Sequence, residues 1–160
     1  MARTMTYLTG DATKPSATGP TIIAHIVNDA GRWGRGFVTA ISRRWPTPEQ
    51  HYRQWHRDRA TNDFALGAVQ LVTVDSDVHI ANMVGQHGIR TSRSSTAPIR
   101  YDALDRCLSN LANTATDLDA TIHMPRIGTG LAGGTWDRIE PLIIDRLTAH
   151  GIAVSVYDLP

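Results

Sequence analysis

The run Thr21–Val27, TIIAHIV, is almost wholly apolar, and a glycine-rich segment follows it closely. A strand that is apolar at both parities buries both of its faces and needs a packing layer on each side. The rest of the chain predicts those layers. Thr4–Leu8 is a short strand ending at Gly10, and Phe37–Arg44 is a short amphipathic helix. Thr47-Pro48-Glu49-Gln50 predicts a second helix start, with a capping threonine, proline at the first position and glutamine three after the cap. Gly67–Val74 and Val78–Val84 read as a β-hairpin around Asp75-Ser76-Asp77. Pro98 opens the longest helix, in which Leu104, Cys107, Leu108, Leu111 and Ala115 share one face, so Cys107 is expected in the core. Ala120–Met124 is a strand, Thr135 caps a helix running to Leu147 with a kink at Pro141, and Ile152–Tyr157 is the last strand. The order β-β-α-α-β-β-α-β-α-β implies an α/β fold, a three-layer α/β/α sandwich with a mixed central sheet.

At 160 residues, with no repeat or linker, the expectation is one domain over 1–160. The polar tract Arg90–Thr96 is expected to be a mobile loop. Sixteen basic against fifteen acidic residues give a formal charge of +1, so nothing pulls the chain strongly toward nucleic acid. No apolar run is long enough to span a membrane, and MARTMTYLTG lacks the apolar stretch of a signal peptide. A single cysteine allows neither an internal disulfide nor a cysteine-based zinc site. These features lead to the expectation of a cytoplasmic protein without membrane partners. The histidines, His25, His51, His56, His79, His87, His123 and His150, form no metal-binding spacing, so no metal and no cofactor are expected.

Two glycine-rich loops each follow a strand and precede a helix: Asn28–Gly36 and Gly128–Gly134. In α/β sheets the ligand crevice lies beyond the carboxyl ends of the strands. Loops free of bulky side chains let backbone amides approach an anion, and the next helix N-terminus adds a favourable dipole. Two such loops can grip a diphosphate from both sides. Neither matches the phosphate-loop or dinucleotide fingerprints. With no lysine near either loop, the anion must be held mainly by amides, which suits binding a nucleotide better than transferring its phosphate. Gly10-Asp11-Ala12-Thr13 follows the first strand. Asp11 there reads either as a turn carboxylate or as an acceptor for an adenine amino group.

The ordered set GDAT, IVND…GRGF and PRIGTGLAGGTW, with VYDL on the last strand, resembles a macrodomain over Gly10 to Leu159. Within that family the PRIG-x-GL segment is similar to the terminal ADP-ribose protein glycohydrolase branch. The resemblance implies ADP-ribose as ligand and mono-ADP-ribosylated proteins as partners. It places Asp11 and the amide of Ala12 at adenine, and Asn28 at the distal ribose. Gly34, Arg35 and Gly36 would line one side of the diphosphate. Gly128, Thr129, Gly130, Leu131 and Ala132 would line the other, with Tyr157 to Leu159 closing over adenine.

Two positions depart from the branch. Its nucleophilic lysine is matched here by Gln86, and its aspartate after the GxGL stretch by Ala132. Glutamine forms no Schiff base and alanine moves no proton, so a lysyl intermediate is excluded. The expected activity is a hydrolase that removes mono-ADP-ribose from acidic side chains by direct water attack, because a carboxylate leaves without much acid assistance. Asn28 or Gln86 would place the water, and Asp29 and His87 are the candidates for proton transfer, though Asp29 also reads as a loop cap and His87 as a backbone partner. Trp33 is a candidate to stack on a ribose or a substrate, while Trp136 is expected in the core. The alternatives are a non-catalytic ADP-ribose reader and an ADP-ribose 1″-phosphate phosphatase.

Overall fold

The computed structural model describes every residue except Ser92, Ser94 and Ser95. The mobile-loop expectation for Arg90–Thr96 falls on those three and so lies outside the described residues. The strands are β1 (Thr6–Thr9), β2 (Thr21–Asn28), β3 (Val69–Asp75), β4 (Val78–Gln86), β5 (Thr121–Pro125) and β6 (Val154–Asp158). The helices are α1 (Phe37–Arg44), α2 (Thr47–Arg57), α3 (Tyr101–Leu118) and α4 (Trp136–Arg146). The strands form one sheet in the order β1-β6-β5-β2-β4-β3. All neighbours are parallel except β3, which pairs antiparallel with β4 at one edge. The sheet is therefore mixed, and five strands point their carboxyl ends the same way.

The double burial of β2 follows from its pleat. Ile22 and Ala24 enter a core shared with Leu104, Leu108 and Ile139 of α3 and α4. Ile23 and Val27 enter a second core with Val38, Ile41, Tyr52 and Trp55 of α1 and α2. Alternate residues of one strand thus feed two cores, which makes the three layers. Cys107 is buried between α3 and the sheet, and burial pushes its thiol up to about 12, so it is inert at neutral pH.

Some boundaries move for local reasons. Thr47 is not a cap. It lies inside α2, and Pro46, at φ −76° and ψ −20°, already has helical backbone, so the helix begins one residue early. Pro98 does not open α3, because Pro98–Arg100 pairs with the end of β4. His87 N–H donates to Pro98 O at 2.8 Å, Arg100 N–H to Gly85 O at 2.9 Å, and Ile99 bridges Gln86. Thr135 holds the cap position of α4, but through its backbone carbonyl, which accepts from Arg138 and Ile139, and not through its hydroxyl.

Candidate functional site

The carboxyl ends of the parallel strands open onto a cleft of three adjoining lobes. The outer lobe, about 500 Å³, lies between Asp11, Phe37, Arg43, Pro125, Tyr157 and Leu159. The middle lobe, about 530 Å³, runs between the Arg35–Gly36 and Gly128–Leu131 loops, with His25 and Ile26 of β2 among its lining residues. The inner lobe, about 230 Å³, is walled by Asn28, Trp33, Gly34, Gln86, Ile89 and Leu131, with Arg32, Arg35 and Arg90 around it. Gly36, Phe37, Pro125, Tyr157 and Leu159 border both outer and middle lobes, while Arg35, Gln86 and Leu131 border both middle and inner ones.

In the outer lobe, Asp11 Oδ1 accepts from Thr13 N–H at 2.8 Å and Thr13 Oγ1 at 2.7 Å, closing an Asx turn. Burial pushes the Asp11 carboxyl up, but the Thr13 bonds and the charges of Lys14 and Arg44 outweigh it and hold the group below its usual range. Oδ2 takes no side-chain or backbone partner among the described residues. The turn and a ligand contact are therefore compatible readings of one carboxylate. Ala12 is buried beside it, and the Tyr157 hydroxyl is tied to His123 Nδ1 at 2.8 Å, which fixes the ring at the lobe wall.

The two glycine loops contain different kinds of glycine. Gly34 and Gly36 have φ of 77° and 95°, which L side chains rarely adopt, although a Cβ at either position would meet nothing within 4 Å. Gly128 also has positive φ, and a Cβ there would meet Ile99 Cδ1 at 2.7 Å, so it is needed for packing as well as for the turn. Gly130 has ordinary φ and open space on its side-chain side. Thr129 Oγ1 donates to Arg126 O at 2.8 Å, while Leu131 is exposed over the cleft. Ala132 packs into the core beneath it and its carbonyl accepts from Ile99 N–H.

No family model matches the chain. Among solved structures, a macrodomain protein from Streptomyces coelicolor is 57% identical, with 97% of this chain and 99% of that one covered and a TM-score of 0.86. The chain belongs to the macrodomain family. A chromodomain-helicase-DNA-binding protein 1-like from Danio rerio is 34% identical over 94% of this chain, but the chain spans only 15% of that relative's length. The corresponding mouse protein is matched over 18% of its length. An ADP-ribose 1″-phosphate phosphatase from Lodderomyces elongisporus is 28% identical, with 97% of this chain and 99% of that protein covered.

Within this macrodomain the four residues expected to be catalytic separate into two pairs. Asn28 and Gln86 line the inner lobe; they face each other across β2 and β4 after a register shift at Val27/Asn28. Asn28 is heavily committed. Its Oδ1 accepts from Ala30 N–H at 2.9 Å and Arg32 N–H at 3.3 Å, and Nδ2 donates to Arg32 O at 2.6 Å. The Tyr52 hydroxyl reaches both Asn28 O and Oδ1, at 2.6 and 2.8 Å. Asn28 thus shapes the first glycine loop before it can touch a ligand. Gln86 Nε2 donates to Gly88 O at 3.0 Å.

Asp29 and His87 do not line the inner lobe. Asp29 Oδ2 pairs with His87 Nδ1 at 2.7 Å, Oδ1 accepts from Gly88 N–H at 2.7 Å, and Asp29 N–H donates to Gln86 O at 3.0 Å. Together these bonds staple the loop after β2 to the loop after β4. Trp33 is largely buried against Tyr52 and His25, with Nε1–H donating to Ser42 Oγ at 2.8 Å, and it still lines the inner lobe. Trp136 packs against the core as expected but is only half-buried, edge-on to Tyr7 and donating to its hydroxyl at 3.0 Å. Arg126 stacks over both rings and forks onto Asp158 at 2.7 and 3.1 Å, at the rim of the middle lobe.

The sequence reading missed the inner-lobe arginines Arg32 and Arg90 and the middle-lobe residue His25. The signal for His25 was present: a lone polar side chain inside an otherwise apolar strand, three residues before Asn28.

Proposed function

We propose that this macrodomain binds ADP-ribose along the cleft and hydrolyses its ester link to acidic protein side chains. Adenine occupies the outer lobe, its amino group donating to Asp11. The diphosphate lies in the middle lobe between the two glycine loops, and the distal ribose enters the inner lobe. The supporting observation is the lining of that inner lobe, where carboxamides and the three arginines Arg32, Arg35 and Arg90 meet and where no Asp, Glu or His is found among the described lining residues.

Such a lining suits a leaving group that departs as an anion. Water attacks the anomeric carbon, the carbon–oxygen bond to the ester breaks, and the carboxylate leaves with the bonding pair toward the guanidinium groups. Gln86 positions the water, and the proton it sheds passes to solvent. The chain's one lysine, Lys14, sits in the turn after β1, where its N–H donates to Asp11 O at 2.9 Å, at the opposite end of the cleft. A covalent lysyl adduct has no nucleophile at the reacting carbon.

The likeness to a phosphatase of ADP-ribose 1″-phosphate supports a second reading, because the same arginines suit a phosphate on the anomeric carbon. Incubation with a glutamate-ADP-ribosylated protein and, separately, with ADP-ribose 1″-phosphate decides between them. Free ADP-ribose from the first supports the ester hydrolase, and inorganic phosphate from the second supports the phosphatase. Tight ADP-ribose binding with neither release would mark a reader and refute both.

A further inference from the structure

The inner lobe, at about 230 Å³, is the smallest of the three. On the proposed orientation it takes the distal ribose and the ester, but not the polypeptide to which the ester belongs. The segment carrying the modified glutamate therefore crosses the mouth of the lobe, a few bonds from the anomeric carbon. Two exposed apolar side chains stand there, Ile89 from the loop after β4 and Leu131 from the second glycine loop, 39% and 56% exposed. With them stand three exposed arginines, Arg32 and Arg35 from the loop after β2 and Arg90 from the loop after β4.

These guanidinium groups are uncommitted. Arg53, Arg106, Arg126 and Arg146 each pair with a carboxylate of this chain. The side chains of Arg32, Arg35 and Arg90 make no ion pair and no hydrogen bond among the described residues, and Arg32 bonds only through its backbone. Arg90 is placed by packing instead: a Cβ on Gly133 would lie 2.3 Å from its Nη2, so the guanidinium rests on the second glycine loop. The cluster also exceeds what the reaction uses. Arg35 borders the middle lobe as well and is at hand for the diphosphate. A single leaving carboxylate is matched by one guanidinium fork. Arg32 and Arg90 line the inner lobe but not the middle one, so one of the two charges is left over. In a chain whose formal charge is only +1, such a local excess favours a partner of opposite sign.

We propose that Arg32 and Arg90, with Ile89 and Leu131, form a recognition surface for an acidic peptide: the segment of the modified protein that flanks the ADP-ribosylated glutamate and carries further Asp or Glu side chains. It rests on the orientation of ADP-ribose given above and adds to it which modified glutamates are held best. Carboxylates of the segment pair with the guanidinium groups, and its apolar atoms cover Ile89 and Leu131. A polynucleotide also brings negative charge, but its bases stack on exposed aromatic faces, and the one ring among the described lining residues, Trp33, is largely buried.

Calorimetry with synthetic peptides tests this. Each carries ADP-ribose on one side chain through an amide nitrogen in place of the ester oxygen, which blocks hydrolysis, and the flanking residues are acidic, neutral or lysine. At low salt the wild-type protein is expected to bind the acidic-flank peptide about five-fold or more tightly than the neutral one, the yield of two exposed ion pairs, and the lysine-flank peptide more weakly than either. Added salt at about 0.5 M is expected to remove most of the difference. A double substitution, Arg32→Gln with Arg90→Gln, is expected to bring the acidic-to-neutral ratio close to one. Equal affinity for acidic and neutral flanks in the wild-type protein would overturn the proposal, and so would a ratio that the double substitution leaves unchanged. Tighter binding of an oligonucleotide bearing ADP-ribose on its terminal phosphate than of the acidic peptide would overturn it in favour of nucleic acid. Because the readout is binding, preference for the acidic flank without cleavage of any glutamate ester would keep this surface and refute the hydrolase alone. Failure to bind free ADP-ribose refutes the functional reading itself, and this inference with it.

Discussion

Gly130→Glu tests the diphosphate site most directly, because the structure separates its effect on binding from any effect on folding. Gly130 has ordinary backbone angles, and a side chain there would meet nothing within 4 Å. The substitution is therefore expected to leave stability within about 0.5 kcal/mol, as for an unobstructed surface position. On the proposed orientation of ADP-ribose, the new carboxylate would lie against the diphosphate. Two like unit charges about 4 Å apart repel by about 1 kcal/mol in bulk water and by about 4 kcal/mol in a partly desolvated site. A diphosphate held somewhat farther off, with more than one charge, gives about 2–4 kcal/mol, or roughly 30- to 1,000-fold in Kd. Titration calorimetry with ADP-ribose measures it, with Gly130→Ala and Gly130→Gln alongside. The alanine variant is expected to bind within about three-fold of the parent, and glutamine to fall well short of glutamate's effect. Added salt is expected to recover part of the loss in the glutamate variant alone. Parental affinity in Gly130→Glu would show that the diphosphate does not pass this loop, and an equal loss with glutamine would show that bulk rather than charge is at work.

Asp11→Ala removes a charged acceptor and is expected to weaken ADP-ribose binding about ten-fold or more in a folded protein, with inosine-based ligands indifferent to the change; an unaltered Kd would take Asp11 out of the site. Asn28→Ala frees the Ala30 and Arg32 amides and the Tyr52 hydroxyl together, so both binding and any hydrolysis are expected to fall, the rate by about 10²-fold or more, and full activity in this variant would refute the loop-shaping role. Lys14→Ala is expected to hydrolyse at the parental rate, and borohydride is expected to trap nothing; a trapped ADP-ribosyl adduct on Lys14 would sink direct water attack. Acid lability follows from His25 and His123, both held down to about 4 by burial against about 6.5 in the unfolded chain. Their folded-state values are depressed, so the unfolded chain binds more protons between those limits, and stability is complete above about pH 6.5 and declines as pH falls toward 4. The thermal midpoint is expected to drop between pH 7 and pH 4.5, and a flat profile over that range would contradict the buried neutral histidines.

The fold was legible wherever its cause is local in the chain. Double-sided burial of β2 appears as apolar residues at both parities, and α1 appears as an amphipathic stretch after a glycine loop, with the same bounds in sequence and structure. What was hidden depends on register. Asp29 meets His87 across 58 positions, and His25 meets Asn82 across 57, only because β2 and β4 lie side by side. Nothing in either segment alone announces the other. The start of α3 is a related case: proline and helix-forming residues favour Pro98, but the pairing of Ile99 with Gln86 claims that segment first. The glycines show the same limit. Gly128 and Gly130 are interchangeable in the sequence, yet one is packed under Ile99 and Ile139 and the other is open to the cleft.

Register also decides what chemistry the inner lobe can support. The register shift that skips Gly85 of β4 sets Asn28 opposite Gln86, and the staple through Asp29 joins the following loops, so that Arg32, Arg35 and Arg90 line the same small space. Of the groups best suited to moving protons near there, Asp29 is committed to His87 Nδ1 and Gly88 N–H, and neither Asp29 nor His87 belongs to that lining. A lobe equipped with cations and carboxamides stabilises negative charge but protonates nothing. An amine or thiolate leaving from the anomeric carbon benefits from a proton at or before departure, whereas a carboxylate or a phosphate departs without one. The arrangement therefore argues for oxygen-linked, anionic leaving groups, and the substrate pair that tests it is an ADP-ribosyl glutamate against an ADP-ribosyl arginine presented on the same peptide. Release from glutamate alone is expected; equal release from arginine would require an acid that this lobe does not contain among its described lining residues.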